Sequence, residues 1–324
     1  MNMQILTPEN YMPVADNQTS ELASIILAGG EGQRLRSLTA AICGTEMPKQ
    51  FCQVLGPETL LQQTLNRVGL TIQPCRTVTV LTQAHHNFYA PLVSEAPRQQ
   101  LAVQPENRGT SAAILYGLEK IAAIDPRAIV AIFPSDHYFS DDLRLMRHVE
   151  IAARAAWQMP TRLVLLGVSP DRPDISYGWI EPDTILRNIE SAPIYSVRGF
   201  REKPSLQIAQ HLHRSGALWN TLVVVAQQQA LKGLFQSTKP DLYRAFHEIS
   251  SAMNTDAESD SVETVYGPLA SSDFSRDILA KSIANLAALP VTDLEWSDLG
   301  EPLRVHLVRR KLGRDIEQHE TVVQ

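Results

Sequence analysis

A short run, Ser24-Ile25-Ile26-Leu27, opens directly into Ala28-Gly29-Gly30-Glu31-Gly32-Gln33-Arg34-Leu35. An apolar strand followed by so many glycines predicts an α/β layer. Its end is a turn whose N–H groups phosphate oxygens can approach without Cβ interference. Arg34 adds a forked, permanently charged donor. Pro48-Lys49-Gln50-Phe51 brings a second cation toward the same end of the sheet. A dinucleotide turn needs a third glycine opening a helix and an acidic residue about 20 positions on. Here Leu35 stands at the third glycine's place, and no Walker A sequence occurs. Taken singly, the glycines make a tight turn and the cations are solvated. Together they point to a triphosphate rather than a redox dinucleotide.

The first half of the chain alternates strand-like and helix-like segments, which predicts a parallel sheet with crossover helices. Strands are expected at 24–28, 77–82, 101–104, 129–133 and 163–168, with helices at 60–69, 110–124 and 142–159. Thr110 is a candidate cap for the second helix. Shorter segments follow at 177–181, 194–200, 205–215 and 217–226, and read as a smaller mixed-sheet lobe laid over the first half. A mostly helical stretch, a strand at 286–291 and a closing helix after Gly300 complete the pattern. A net charge of -6 leaves no electrostatic footprint for nucleic acid. No stretch is long and apolar enough for a membrane span. Cys43, Cys52 and Cys75 lack zinc-like spacing and fit a reducing cytoplasm.

Leu27-Ala28-Gly29-Gly30-x-Gly32-x-Arg34-Leu35 with Pro48-Lys49-Gln50-Phe51 resembles the signature of the sugar-1-phosphate nucleotidyltransferases, in the form of the mannose-1-phosphate guanylyltransferase branch. The likeness continues in order through 104–110, 134–137, 177–180, 201–204, 218–220 and 296–300. It implies a Rossmann-like, mostly parallel α/β sheet spanning 22–311. Within it, 22–168 form the nucleotide half and 169–311 the sugar half, with an extension at 1–21 and a tail at 312–324. The implied partners are a nucleoside triphosphate and a sugar 1-phosphate, with Mg²⁺ as cofactor. No nucleic acid or membrane partner is expected, and oligomeric state is left open.

The resemblance also implies roles. Leu27, Ala28, Gly29, Gly30 and Gly32 would cradle phosphates, and Gln104, Pro105, Gly109 and Thr110 would line the base, with the small Gly109 making room. Arg34 and Lys49 would neutralise the polyphosphate. Asp136, at the end of a buried strand, and Asp298 are the metal carboxylates; each has a helix cap as its plainer reading. His137 is a structural neighbour, since Mg²⁺ has little appetite for imidazole. Lys203 would hold the sugar phosphate, while Gly178, Glu202 and Asn220 would meet the sugar. Departures from the family pattern include extra residues at 39–47, Ser37 where proline is common, Gly109-Thr110-Ser111-Ala112 in the base loop, and Thr221-Leu222 in place of Ser-Gly. They leave base and hexose open, alongside a catalytically idle regulatory homologue and, more remotely, a dehydrogenase.

Overall fold

The computed structural model describes residues 22–314; the expected extension at 1–21 and the tail beyond residue 314 lie outside them. Strands β1 to β11 occupy Leu22–Leu27, Thr77–Thr82, Leu101–Gln104, Ile129–Pro134, Tyr138–Phe139, Leu163–Val168, Gly178–Ile189, Ala192–Glu202, Leu218–Gln227, Leu286–Val291 and Trp296–Ser297. Helices α1 to α11 occupy Arg36–Cys43, Leu60–Gly69, His86–Tyr89, Thr110–Ile124, Asp142–Gln158, Leu206–Arg214, Gln228–Thr238, Pro240–Glu248, Glu258–Tyr266, Phe274–Asp277 and Pro302–Lys311.

One nine-stranded sheet runs in the order β3-β2-β1-β4-β9-β6-β10-β8-β7. β1, β2, β3 and β4 are mutually parallel, as are β6 and β10, while β9 and β8 run against their neighbours. The strands of the second half are therefore not laid over the first half. β9 enters the same sheet between β4 and β6, because its Val223, Val224, Val225 and Ala226 are apolar on both faces. The two-residue period sorts the core. Ile129, Ala131 and Phe133 share one face with α5 residues such as Val149 and Ala152, and Val130 and Ile132 share the other with Leu115 and Leu118 of α4. A third apolar cluster, including Leu35, Cys52, Val54, Leu299, Val305 and Val308, seats α11 on the segments that follow the glycine turn.

Thr110 does not cap α4. Gly109 holds the cap position, and the Thr110 hydroxyl instead accepts from the Phe274 N–H at 2.8 Å. The reason is tertiary: residues 271–274 lie against the helix start, where the Ser111 N–H donates to the Ser272 carbonyl at 3.1 Å.

The expectation of a reduced cysteine set is also corrected, because Cys43 and Cys52 form a disulfide and Cys75 is free and exposed. Cys43 ends α1, and Cys52 follows the single turn Lys49–Phe51. The two Cα atoms lie 6.3 Å apart, within bridging range. Closing so short a loop restricts the unfolded chain by roughly 2–3 kcal/mol. Protein isolated without reductant should show one titratable thiol per denatured chain, and three after treatment with a dithiol; three in the untreated sample would contradict the bridge.

Candidate active site

The phosphate end is built by the turn after β1. Gly32 sits at φ +60°, and a Cβ there would come within 3.1 Å of the Pro48 and Lys49 backbone, so a side chain would be strained on both counts. Gln50 locks the two motifs together by donating to the Ala28 carbonyl at 3.0 Å and the Gly30 carbonyl at 2.8 Å. Thr82 and Asn107 both donate to the Gly29 carbonyl, at 3.1 and 3.4 Å. Arg34 lies in a short 3₁₀ turn, exposed and without an ion pair among the described residues, while its neighbour Leu35 is anchored in the third cluster.

Two expected base contacts are used otherwise. Gln104 is buried, accepting from the Tyr266 hydroxyl at 3.0 Å and donating to the Leu81 carbonyl and the Thr82 hydroxyl at 3.3 and 3.5 Å. Its amide is spent on tying β3 to α9 and β2. Gly109 adopts φ +85°, and a Cβ would meet the Ser272 carbonyl oxygen at 2.4 Å. The space it vacates is filled by protein, not left for a base. Pro105 and Thr110 flank that loop, partly exposed.

Asp136 and Asp298, 162 positions apart in the chain, are brought to one place by the small antiparallel ladder in which Tyr138 faces Ser297 and Phe139 faces Trp296. Lys49 lies between them, its side chain 10% exposed. Its ammonium donates to the Asp298 carbonyl and to the Leu299 carbonyl at 3.1 Å, and pairs with Asp136 Oδ2 at 3.3 Å. With two carbonyls and a carboxylate around its ammonium, Lys49 is a strut as much as a cation for substrate. The Trp296 indole N–H donates to His137 Nδ1 at 3.3 Å, which places a neutral imidazole's proton on Nε2, 3.7 Å from Asp136 Oδ1. Burial lowers the His137 pKa, although Asp136 opposes it. Burial raises the Asp298 carboxyl, but His137, Arg304 and Lys49 outweigh it and hold it below the ordinary value. Mg²⁺ needs one or two carboxylates plus phosphate oxygens, and this donor set fits that demand.

On the sugar side, Gly178 of β7, Glu202 of β8 and Asn220 of β9 meet where the three strands begin or end. A Cβ on Gly178 would lie 2.7 Å from Glu202 Oε2 and 3.3 Å from the Asn220 Cβ. Asn220 Oδ1 accepts from the Leu222 N–H at 3.2 Å. Lys203 follows, 63% exposed, with its Nζ 3.8 Å from Glu202 Oε1. Tyr177, Trp219 and Trp296 form a ring-on-ring wall between this cluster and the carboxylates, with centroids 4.8 Å apart for Tyr177 with either tryptophan. The sequence reading missed Arg304, which no motif contains, and gave the side chain of Tyr177, inside the 177–180 motif, no role; both lie against Asp298.

Burial, then the Asp273 charge, push the Glu202 pKa up to about 7 against the opposing Lys203. The folded protein therefore keeps a proton that the unfolded chain releases above its ordinary carboxylate pKa, and stability is lost as pH rises toward 7. Glu202→Gln removes this loss. In urea titrations, the variant should gain stability relative to the parent between pH 5 and pH 8; a difference that stays flat over that range would show an ordinary carboxylate.

The chain is similar to known proteins. A mannose-1-phosphate guanylyltransferase from Sinorhizobium fredii is 30% identical over 300 residues, covering 88% of this chain and 54% of that protein. One from Escherichia coli is 27% identical over 293 residues, covering 87% and 58%. The chain thus spans little more than half the length of these curated relatives. A solved mannose-1-phosphate geranyltransferase from Thermus thermophilus superposes with a TM-score of 0.75 at 25% identity, covering 89% of this chain and 79% of that one. A nucleotidyl transferase profile matches residues 23–312. That stretch contains the glycine turn, both carboxylates and the sugar-side cluster, and the chain belongs to the nucleotidyl transferase family.

Proposed function

We propose that this chain transfers a guanylyl group, converting GTP and mannose 1-phosphate to GDP-mannose and pyrophosphate. The observation that carries the reading is the gathering of Lys49, Asp136 and Asp298 beside a glycine turn, one aromatic wall away from Gly178, Glu202 and Asn220. The guanylyltransferases among the relatives support the choice of substrates.

In this reading a sugar-phosphate oxygen attacks the α-phosphorus in line. A new P–O bond forms as the bond to the β-phosphate's bridging oxygen breaks, and pyrophosphate leaves. No protein nucleophile is needed, so the chain contributes positioning and charge. Arg34 holds the departing pyrophosphate. Lys49 exchanges its Asp136 contact for a phosphate oxygen, and Lys203 fixes the attacking phosphate. Glu202 and Asn220 meet the sugar hydroxyls at the gap that Gly178 leaves. Asp136 and Asp298 would hold Mg²⁺; when bound, the ion neutralises charge on the reacting phosphates. The base is read by backbone groups of residues 105–109, since the Gln104 amide is already bonded within the protein. A cytoplasmic setting belongs to this reading.

Pyrophosphate release over four nucleoside triphosphates and several sugar 1-phosphates tests the substrates. GTP with mannose 1-phosphate should be fastest; a faster pair reassigns base or hexose, and no release from any pair leaves the idle homologue. Two variants test the cations. Arg34→Ala should lower kcat by about 10²–10³ with an unchanged melting temperature, because Arg34 is exposed and bonded to nothing described. Lys49→Ala should lower kcat and also cost about 1.5–3 kcal/mol of stability, because it strips the donor from two carbonyls. Near-normal turnover in both would refute their roles.

A further inference from the structure

Arg304 belongs to none of the sequence motifs, yet its side chain is only 7% exposed and touches both halves of the site. Nη1 donates to Asp298 Oδ1 at 2.7 Å, and Nη2 donates to Asp174 Oδ1 and Oδ2 at 3.1 and 2.9 Å. The guanidinium covers the Tyr177 ring at 4.3 Å from its centroid. Tyr177 donates its hydroxyl to the same Asp298 Oδ1 at 3.4 Å, and the Gly300 N–H does so at 2.9 Å. Three donors thus converge on one oxygen of Asp298. The other, Oδ2, takes no hydrogen bond among the described residues.

Asp174 begins the approach to the sugar side. Its Oδ1 accepts from the Ser176 N–H at 2.8 Å, and its carbonyl accepts from the Trp179 indole N–H at 2.9 Å. The residues between are Tyr177, in the aromatic wall, and Gly178, in the sugar-side cluster. One planar fork therefore spans the carboxylates of Asp298 and Asp174, a geometry that a lysine's point charge does not reproduce.

We propose that Arg304 is a positioning residue for nucleotidyl transfer, pinning one oxygen of Asp298 so that the other is left to a divalent cation, and tying that carboxylate to the 174–178 segment on the sugar side. The proposal rests on the reading of Asp136 and Asp298 as the cation's carboxylates. Charge alone predicts the opposite behaviour. A cation beside the site repels a metal ion, so a merely electrostatic Arg304 weakens metal binding and its removal tightens it. A positioning Arg304 strengthens binding by orientation, and its removal loosens it.

The test titrates Mn²⁺ into the full chain, reading bound ion by water-proton relaxation, and measures kcat and KM by pyrophosphate release. Arg304→Lys keeps the charge and loses the span; Arg304→Met loses both. Both variants should bind Mn²⁺ at least 5-fold more weakly and turn over at least 20-fold more slowly, with each KM within 3-fold of the parent. A wild-type Mn²⁺ affinity and kcat in Arg304→Lys, or tighter Mn²⁺ binding in Arg304→Met, overturns the proposal. Asp174→Ala removes the acceptors of one arm of the fork while leaving the guanidinium in place, and serves if Arg304→Met does not fold. Wild-type kcat in that variant overturns the tie to the sugar side. Asp136→Asn separates the two readings: if it leaves Mn²⁺ binding unchanged, the cation site itself is misassigned and the proposal falls with it. If it abolishes binding while Arg304→Lys behaves as the parent, the positioning role alone fails.

Discussion

The structure turns on one nearly buried ammonium. Taking a lysine charge out of water is costly unless acceptors surround it. Lys49 finds them 249 and 250 positions away, in the carbonyls of Asp298 and Leu299, and in Asp136. That requirement draws the end of the chain back to its beginning. The third apolar cluster serves the same closure, placing Leu35 from the glycine turn beside Leu299 and Val305. The β5–β11 ladder then fixes Asp298 next to Asp136 and His137. Polar and apolar contacts thus converge on a single join, and the site stands at that join.

Three non-glycine residues hold left-handed backbone near the site: Lys203 at φ 47°, Leu222 at φ 60° and Leu299 at φ 48°. Each follows a proposed functional residue by one or two positions, after Glu202, Asn220 and Asp298. Such conformations cost of order 1–3 kcal/mol and persist where surroundings enforce them. The enforcing bonds are visible. The Lys203 N–H donates to the Tyr177 carbonyl at 3.1 Å, the Leu222 N–H to Asn220 Oδ1 at 3.2 Å, and the Leu299 N–H to the Ser297 hydroxyl at 3.2 Å. At Leu299 the result has a use, since its carbonyl is one of the two that receive Lys49. At Leu222 the chain accepts a leucine in a backbone region that favours glycine.

Much of the scaffold was legible from short β-branched and apolar runs bounded by turn residues. Thr77–Thr82, Leu101–Gln104, Leu163–Val168 and Leu286–Val291 have the same ends in the structure as in the sequence reading, and so do α2 and α4. The long β7–β8 hairpin was seen only at its buried ends, because residues such as Ile185 and Arg187 are paired but exposed and lack the alternation of a half-buried strand. The glycine turn, Lys49, Asp136, Glu202 and Asn220 were legible as residues. The internal commitments of Gln104 and Gly109 were not, since each depends on a distant partner, Tyr266 in one case and Ser272 in the other.

The sequence by itself determined the first four strands, the turn that exposes backbone N–H groups and the identity of the charged groups, because these follow from local periodicity and residue chemistry. Only the tertiary structure decided that β9 divides β4 from β6, that Cys43 meets Cys52, and that Arg304 clasps Asp298 and Asp174. The physical reason is the same in each case. Such partners are selected by which buried charges and apolar faces remain unsatisfied once the local elements exist, and that balance is struck across the whole chain at once.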